Sequence, residues 1–228
     1  MAIATDSDGR PTLSTPVPRD ASLAERAYYE LRDRIVSLRI APGTLIREGE
    51  VMIDLKMSRT PLREALLRLA QEKLVVVIPR RGTFVTEIQV GDVGTIYELR
   101  RELEAVAAGW AALRRREEDL PEIEELIARL SELERASELA DARSLLVGDQ
   151  EAHHLIYRLC ANKLLEDTLK SFYFQATRVW FLAAGRVTMN DPFMIDALKA
   201  VVQGDAESAQ THARAHSNAA EAAIRAAL

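Results

Sequence analysis

Two groups of residues have the types and spacing that chemistry needs. In "SRTPLREALLRLAQEKLVVVIPRRGTFV", residues 58–85, five arginines stand among leucines and valines. Arg59 and Arg63 are four apart, so a helix would carry both on one shoulder near its N-terminal end, with Thr60 beside them. A planar guanidinium can bond two acceptors at once on guanine or on a phosphate, and a helix N-terminus itself attracts phosphate. Arg80, Arg81 and Gly82 would form a basic hairpin tip, where glycine lets the backbone approach a partner closely. The plainer alternative is a solvated basic face. The second group holds the four histidines, His153, His154, His212 and His216. Asp149 and His153 share a helix face close to the apolar stripe of Leu145, Ala152 and Ile156, whereas His154 points the other way, towards solvent. A carboxylate and imidazoles converging in a helical bundle could hold a divalent cation, or the histidines are core residues satisfied by neighbours. Arg100 sits on the shoulder of an apolar helix face. It is either the local partner of Glu104, one turn on, or a clamp for a carboxylate ligand.

The elements that must position these groups are legible in the periodicity. Apolar residues recur at helical spacing over 22–39, and Pro42-Gly43 breaks that run. A short helix is expected over 48–55. Leu62, Ala65, Leu66 and Leu69 then form one buried helix face, with Ser58 or Thr60 as cap and Pro61 in the first turn. "LVVVI" reads as a strand, "PRRG" as a turn and "TFVTE" as a returning strand. Three helices and a hairpin make a winged helix-turn-helix pattern. Beyond Glu87 the strand signals cease. Ile96, Leu99, Leu103, Val106, Trp110 and Leu113 mark a long amphipathic helix, and Pro121 starts another that runs to about residue 140. Further helices are expected over 141–160, 162–187, 192–203 and 205–227, with breaks at Asn162, at Asn190, Asp191 and Pro192, and at Gly204-Asp205. The fold class expected is mostly α: a winged helix-turn-helix followed by an all-α helical bundle.

Bulk properties narrow the classes further. The 228 residues carry a net charge of −5, but unevenly. Residues 1–87 hold 14 Lys and Arg against 12 Asp and Glu, and within 56–86 the balance is 7 against 2. A local positive patch on an acidic chain points to a polyanionic partner at that patch. The single cysteine, Cys160, excludes an internal disulfide and fits a reducing, cytoplasmic setting. No apolar run approaches the roughly 20 residues a membrane span needs. Residues 1–22 lack a signal-peptide apolar segment and read as a disordered tail, rich in Pro, Ser, Thr and Asp.

"PGTLI" followed by the 58–85 stretch closely resembles the N-terminal domain of GntR-family transcriptional regulators, over about residues 23–87. The resemblance implies operator contacts for Arg59, Arg63 and Gly82, with Ser58 and Thr60 on phosphates and Arg80 and Arg81 in the wing. Two positions depart from that family: its usual glycine before the recognition helix is Lys56 here, and a basic residue common at the start of the second helix falls on Gly49. Within the remainder, 88–228, about residues 92–220 are similar to the effector-binding FCD domain of the FadR-like subfamily, on "LRRELEAVAAGWAA", "DQEAHHLIYRLCAN" and "QGDAESAQTHARAH". Many such domains bind a metal of zinc or nickel type through one aspartate and three histidines. Asp149, His153 and His216 match three of these, but the middle histidine falls on Met194. A thioether is a poor ligand for such ions, and Met194 shares a face with Ala197, Leu198 and Val201, as a core methionine would. The metal site is therefore expected to be weakened or lost unless His212 substitutes. The reading that follows is a homodimeric cytoplasmic regulator, a repressor, binding palindromic operator DNA. A small carboxylate metabolite would be held near Arg100, Asp149, His153 and His216, with no membrane partner and no enzymatic activity. The alternatives are a metal-dependent enzyme on the bundle, for which no general base or nucleophile stands out, and a regulator whose degenerate site is only structural.

Overall fold

The computed structural model describes residues 17–89, 91–136, 142–183 and 194–228. Most of the expected N-terminal tail, and the breaks at Asn190, Asp191 and Pro192, lie outside the described residues. The helices expected to run to 140 and 187 end earlier, at Arg135 and Leu182, each followed by a turn residue. The chain divides into two compact units. One runs to Gln89 and includes Thr177–Leu182; the other comprises Val90–Ala176 and Ala183–Leu228.

In the first unit, α1 (Leu23–Val36) starts from a capping box: Ser22 Oγ accepts the Glu25 N–H at 3.2 Å, and the Glu25 carboxylate accepts the Ser22 N–H at 2.9 Å. It ends before the 39 that periodicity suggests, because Leu38 turns left-handed at φ 59°. α2 (Glu48–Asp54) and α3 (Arg59–Gln71) follow. Leu62, Ala65, Leu66 and Leu69 are buried on one face of α3, as their spacing requires, and α3 packs on α1. Leu62 and Leu69 are fully buried, each worth about 1.5–3 kcal/mol relative to exposure. The hairpin pairs β2 (Val75–Ile78) with β3 (Gly82–Val85), placing Val76 opposite Phe84 and Ile78 opposite Gly82. A third strand, β1 (Leu45–Ile46), pairs antiparallel with the free edge of β3, giving the order β1-β3-β2. Two residues are too few to show alternation, so the sequence reads there only as a helix breaker.

The second unit is helical among the described residues: α4 (Asp92–Arg114), a 3-10 turn (Glu117–Asp119), α5 (Leu120–Arg135), α6 (Ala142–Leu159), α7 (Lys163–Leu182, to Ala176 in this unit), α8 (Ile195–Gln203) and α9 (Ala206–Ala227). α4 and α9 lie close together because both present buried alanines, Ala105, Ala108 and Ala112 against Ala209 and Ala213. A Cβ added to Gly109 would come within 2.5 Å of Gln210 Nε2. Arg115 closes the C-terminal end of α8 by donating to the carbonyls of Val201 and Val202 at 2.6 and 2.8 Å. Met194 is buried at the start of α8 with Ala197, Leu198 and Val201, the core role its spacing suggests.

Candidate functional site

In the first unit the basic residues separate by what holds them. Arg59 and Arg63 leave α3 on one side, each with its side chain 63% exposed. Their Nε atoms stand 3.8 and 3.5 Å from a single carboxylate oxygen, Oε2 of Glu48 at the start of α2, too far for hydrogen bonds. Arg68 turns back on the protein. Its guanidinium lies 3.6 Å from the Tyr28 ring centroid and 3.8 Å from Glu72, whose carboxylate also accepts the Tyr28 hydroxyl at 2.7 Å. Ser58 is the N-cap residue in an extended conformation, but its hydroxyl makes no capping bond; Thr60, the other candidate cap, lies inside the helix. At the hairpin tip, Arg80, Arg81 and Gly82 are all exposed. Arg80 is left-handed at φ 64°, and the Arg81 N–H closes the turn on the Ile78 carbonyl at 3.0 Å. Gly82 has φ 113°, and a Cβ there would meet Leu45 Cδ1 at 2.8 Å. The wing therefore needs glycine for its own packing against β1. The turn before α3 is left-handed at Lys56, φ 52°, the conformation that a glycine would adopt more easily.

In the second unit, four helices bring a polar cluster into the core. α4 contributes Arg100 and Glu104; α6 contributes Asp149, His153 and Tyr157; α7 contributes Tyr173; α9 contributes His216 and Ser217. Glu104 is fully buried, and three helices converge on it: Arg100 Nε donates at 2.8 Å, the Tyr157 hydroxyl at 2.6 Å, and the Ser217 hydroxyl donates to its other oxygen. Burial alone would raise its pKa, but Arg100, His153 and the two hydroxyls outweigh that and hold it at about 2. Asp149 is likewise pushed up by burial, and His153, His216 and Arg100 bring it down to about 2. The Tyr173 hydroxyl donates to Asp149 Oδ2 at 2.9 Å. Oδ1 accepts no hydrogen bond and faces His216 Nε2 at 3.3 Å and His153 Nδ1 at 3.4 Å. Burial lowers the pKa of His153 against the pull of Asp149 and Glu104. Donor atoms of Asp149, His153 and His216 all lie within 4.8 Å of one another. Two imidazoles and a carboxylate oxygen without a hydrogen bond fit a divalent ion of zinc or nickel type, with further positions left to water or a ligand. His212 is exposed and does not substitute for the histidine that Met194 replaces. One expectation needs correction: His154 is half-buried, packed edge-on against the Tyr173 and Phe174 rings.

The sequence pattern described as "Bacterial regulatory proteins, gntR family" matches residues 23–85, and that of the FCD domain matches residues 95–219. The chain belongs to the GntR family. This GntR regulator is 26% identical over 202 residues to the HTH-type transcriptional repressor RspR of Escherichia coli (strain K12), across 87% of each chain. It is 40% identical over 84 residues to the gluconate operon transcriptional repressor of Bacillus subtilis (strain 168), across 37% of this chain and 34% of that one. The solved structure of E. coli McbR/YncC shares the fold, with a TM-score of 0.72 at 22% identity, covering 90% of this chain and 98% of that one. The family consists of transcriptional regulators rather than enzymes, which sets aside a metal-dependent enzyme on the bundle. Its helix-turn-helix implies DNA binding, and its FCD domain a small-molecule effector.

Sequence reasoning about this GntR regulator missed Glu48 as the shared neighbour of Arg59 and Arg63, since the two helices meet only in the fold. It named Glu104 merely as a local partner, and it passed over Tyr157 and Ser217. Tyr157 had a usable signal, because it follows Asp149 and His153 at the same four-residue step. No helix among the described residues is long and apolar enough to cross a membrane.

Proposed function

We propose that the protein is a cytoplasmic, homodimeric repressor that binds a palindromic operator and releases it when a small carboxylate metabolite enters the helical unit. The reading is carried by one observation: Arg59 and Arg63 project together from the N-terminal end of α3, mostly exposed, while Arg68 is folded back on Tyr28. In a helix-turn-helix that end of the second helix enters the major groove. Arg59 and Arg63 read base edges there, Ser58 and Thr60 meet phosphates, and Arg80, Arg81 and Gly82 grip the flanking backbone. Two-fold symmetry of the protein matches two half-sites. The effector's carboxylate is received by Arg100 beside Asp149, His153 and His216. These three residues would also hold a divalent cation, which would supply a Lewis-acidic point for an effector oxygen. Effector binding favours a dimer geometry whose recognition helices no longer fit adjacent grooves.

Duplexes enriched by the wild-type protein from a random pool provide the probe. Replacing both Arg59 and Arg63 by Ala is expected to weaken binding to the enriched duplex by about a hundredfold or more, at about 1–3 kcal/mol for each base contact. Binding at wild-type strength would refute the assignment of α3 as the reader.

A further inference from the structure

His153 has two ring nitrogens, and both are engaged. Nδ1 lies 2.8 Å from the backbone oxygen of Asp149, which can only accept, so Nδ1 carries the proton. The neutral ring then has one lone pair, on Nε2. Arg100 Nη2 stands 3.1 Å from it, and a guanidinium can only donate. The tautomer is thus fixed from both sides. A metal-binding histidine commonly donates its other ring N–H to a backbone carbonyl, as His153 does here. What stands on the coordinating side of the ring is Arg100. The same guanidinium donates through Nε to Glu104 at 2.8 Å, so it bridges the carboxylate and the imidazole with two different nitrogens.

We propose that Arg100 and a divalent cation of zinc or nickel type compete for the single lone pair of His153, so that a carboxylate ligand drawing Arg100 away raises the affinity of Asp149, His153 and His216 for the ion. The inference rests on reading this cluster as the effector site. Linkage makes the coupling reciprocal: the ion raises the affinity for the carboxylate by the same factor. Arg100 then has two roles, clamp for the ligand and occupant of the ion's third donor, and the regulator responds to metal and carboxylate jointly.

The test uses zinc alone, titrated by calorimetry into the intact protein against a competing chelator. Three proteins are compared: wild type, Arg100→Lys, and the double variant Arg100→Met with Glu104→Gln. Lysine keeps a cation beside Glu104 but lacks the planar fork that reaches both partners. The double variant removes one positive and one negative charge together, so general attraction for a cation is unchanged. Both are expected to bind one zinc per chain about tenfold more tightly than wild type, a difference typical of groups that bear on a metal ligand. Adding His153→Ala should abolish that gain. Equal zinc affinity in all three overturns the competition while leaving the cluster as an ion site. No zinc bound by any of them overturns both. If circular dichroism shows the double variant unfolded, Arg100→Lys against wild type decides the question by the same criterion.

Discussion

Arg63 and Arg100 each face a carboxylate, yet they occupy opposite electrostatic conditions. Arg63 keeps 63% of its side chain in solvent and stands 3.5 Å from Glu48; Arg100 keeps 4% and lies 2.8 Å from Glu104. Around Arg63, water and salt screen the pair, so it can exchange a carboxylate for a phosphate or a guanine at little cost. Around Arg100 the pair is desolvated, and moving the guanidinium requires another anion to take the place of Glu104. One unit therefore presents its arginines to any polyanion that approaches, whereas the other yields its arginine only to a ligand able to replace an internal partner. That division suits a reader and a sensor.

The contrast can be broken at several points. The largest effect is expected from Glu104→Ala, which strands Arg100 in the core and removes the acceptor for Tyr157 and Ser217. Stability should fall by about 3–5 kcal/mol, visible in denaturant unfolding. Acid should act on the same unit. Glu104 and Asp149 are held at about 2, below their ordinary 4.5 and 3.8, so the unfolded chain binds more protons between those values. Their contribution is complete above the ordinary carboxyl range and is lost as pH falls towards about 2. Melting temperatures across that window should decline, and less steeply in a Glu104→Gln variant.

Changes on the exposed side should be smaller. Glu48→Gln removes the shared neighbour of Arg59 and Arg63, so binding to scrambled duplex should rise while the preference for the enriched duplex falls by up to about fivefold, the scale of a surface pair. An unchanged preference would show that Glu48 acts only through bulk charge. Lys56→Gly relieves a left-handed backbone costing about 1–2 kcal/mol but adds unfolded-state freedom, for a net gain of about 0.5–1 kcal/mol in thermal stability.

How much of this was legible in the sequence depended on distance along the chain. Leu62, Ala65, Leu66 and Leu69 announced α3 and its buried face because a helix face is a local pattern. Asp149 and His153 announced each other for the same reason. β1 escaped because Leu45 and Ile46 acquire strand character only from β3. Ser217 escaped because its partner, Glu104, is 113 residues away. His154 looked solvent-facing from the phase of α6 alone, but α7 covers that side with Tyr173 and Phe174. The four-residue step made Glu104 one of two readings for the partner of Arg100, and the two do pair; their burial was not legible, since it depends on α6 and α9 closing over them.

The meeting of three helices on Glu104 bears on how the bundle is aligned. α9 offers α4 a row of alanines, and a row of like, small side chains can slide by a turn with little change in contact. A buried carboxylate that must receive Ser217 from α9 and Tyr157 from α6 permits one axial setting, because a slip would leave an anion unmatched in the core. Glu104 thus acts as an alignment pin. A Glu104→Leu chain that retained its helix content should show broadened amide resonances along α9, as one setting gives way to several.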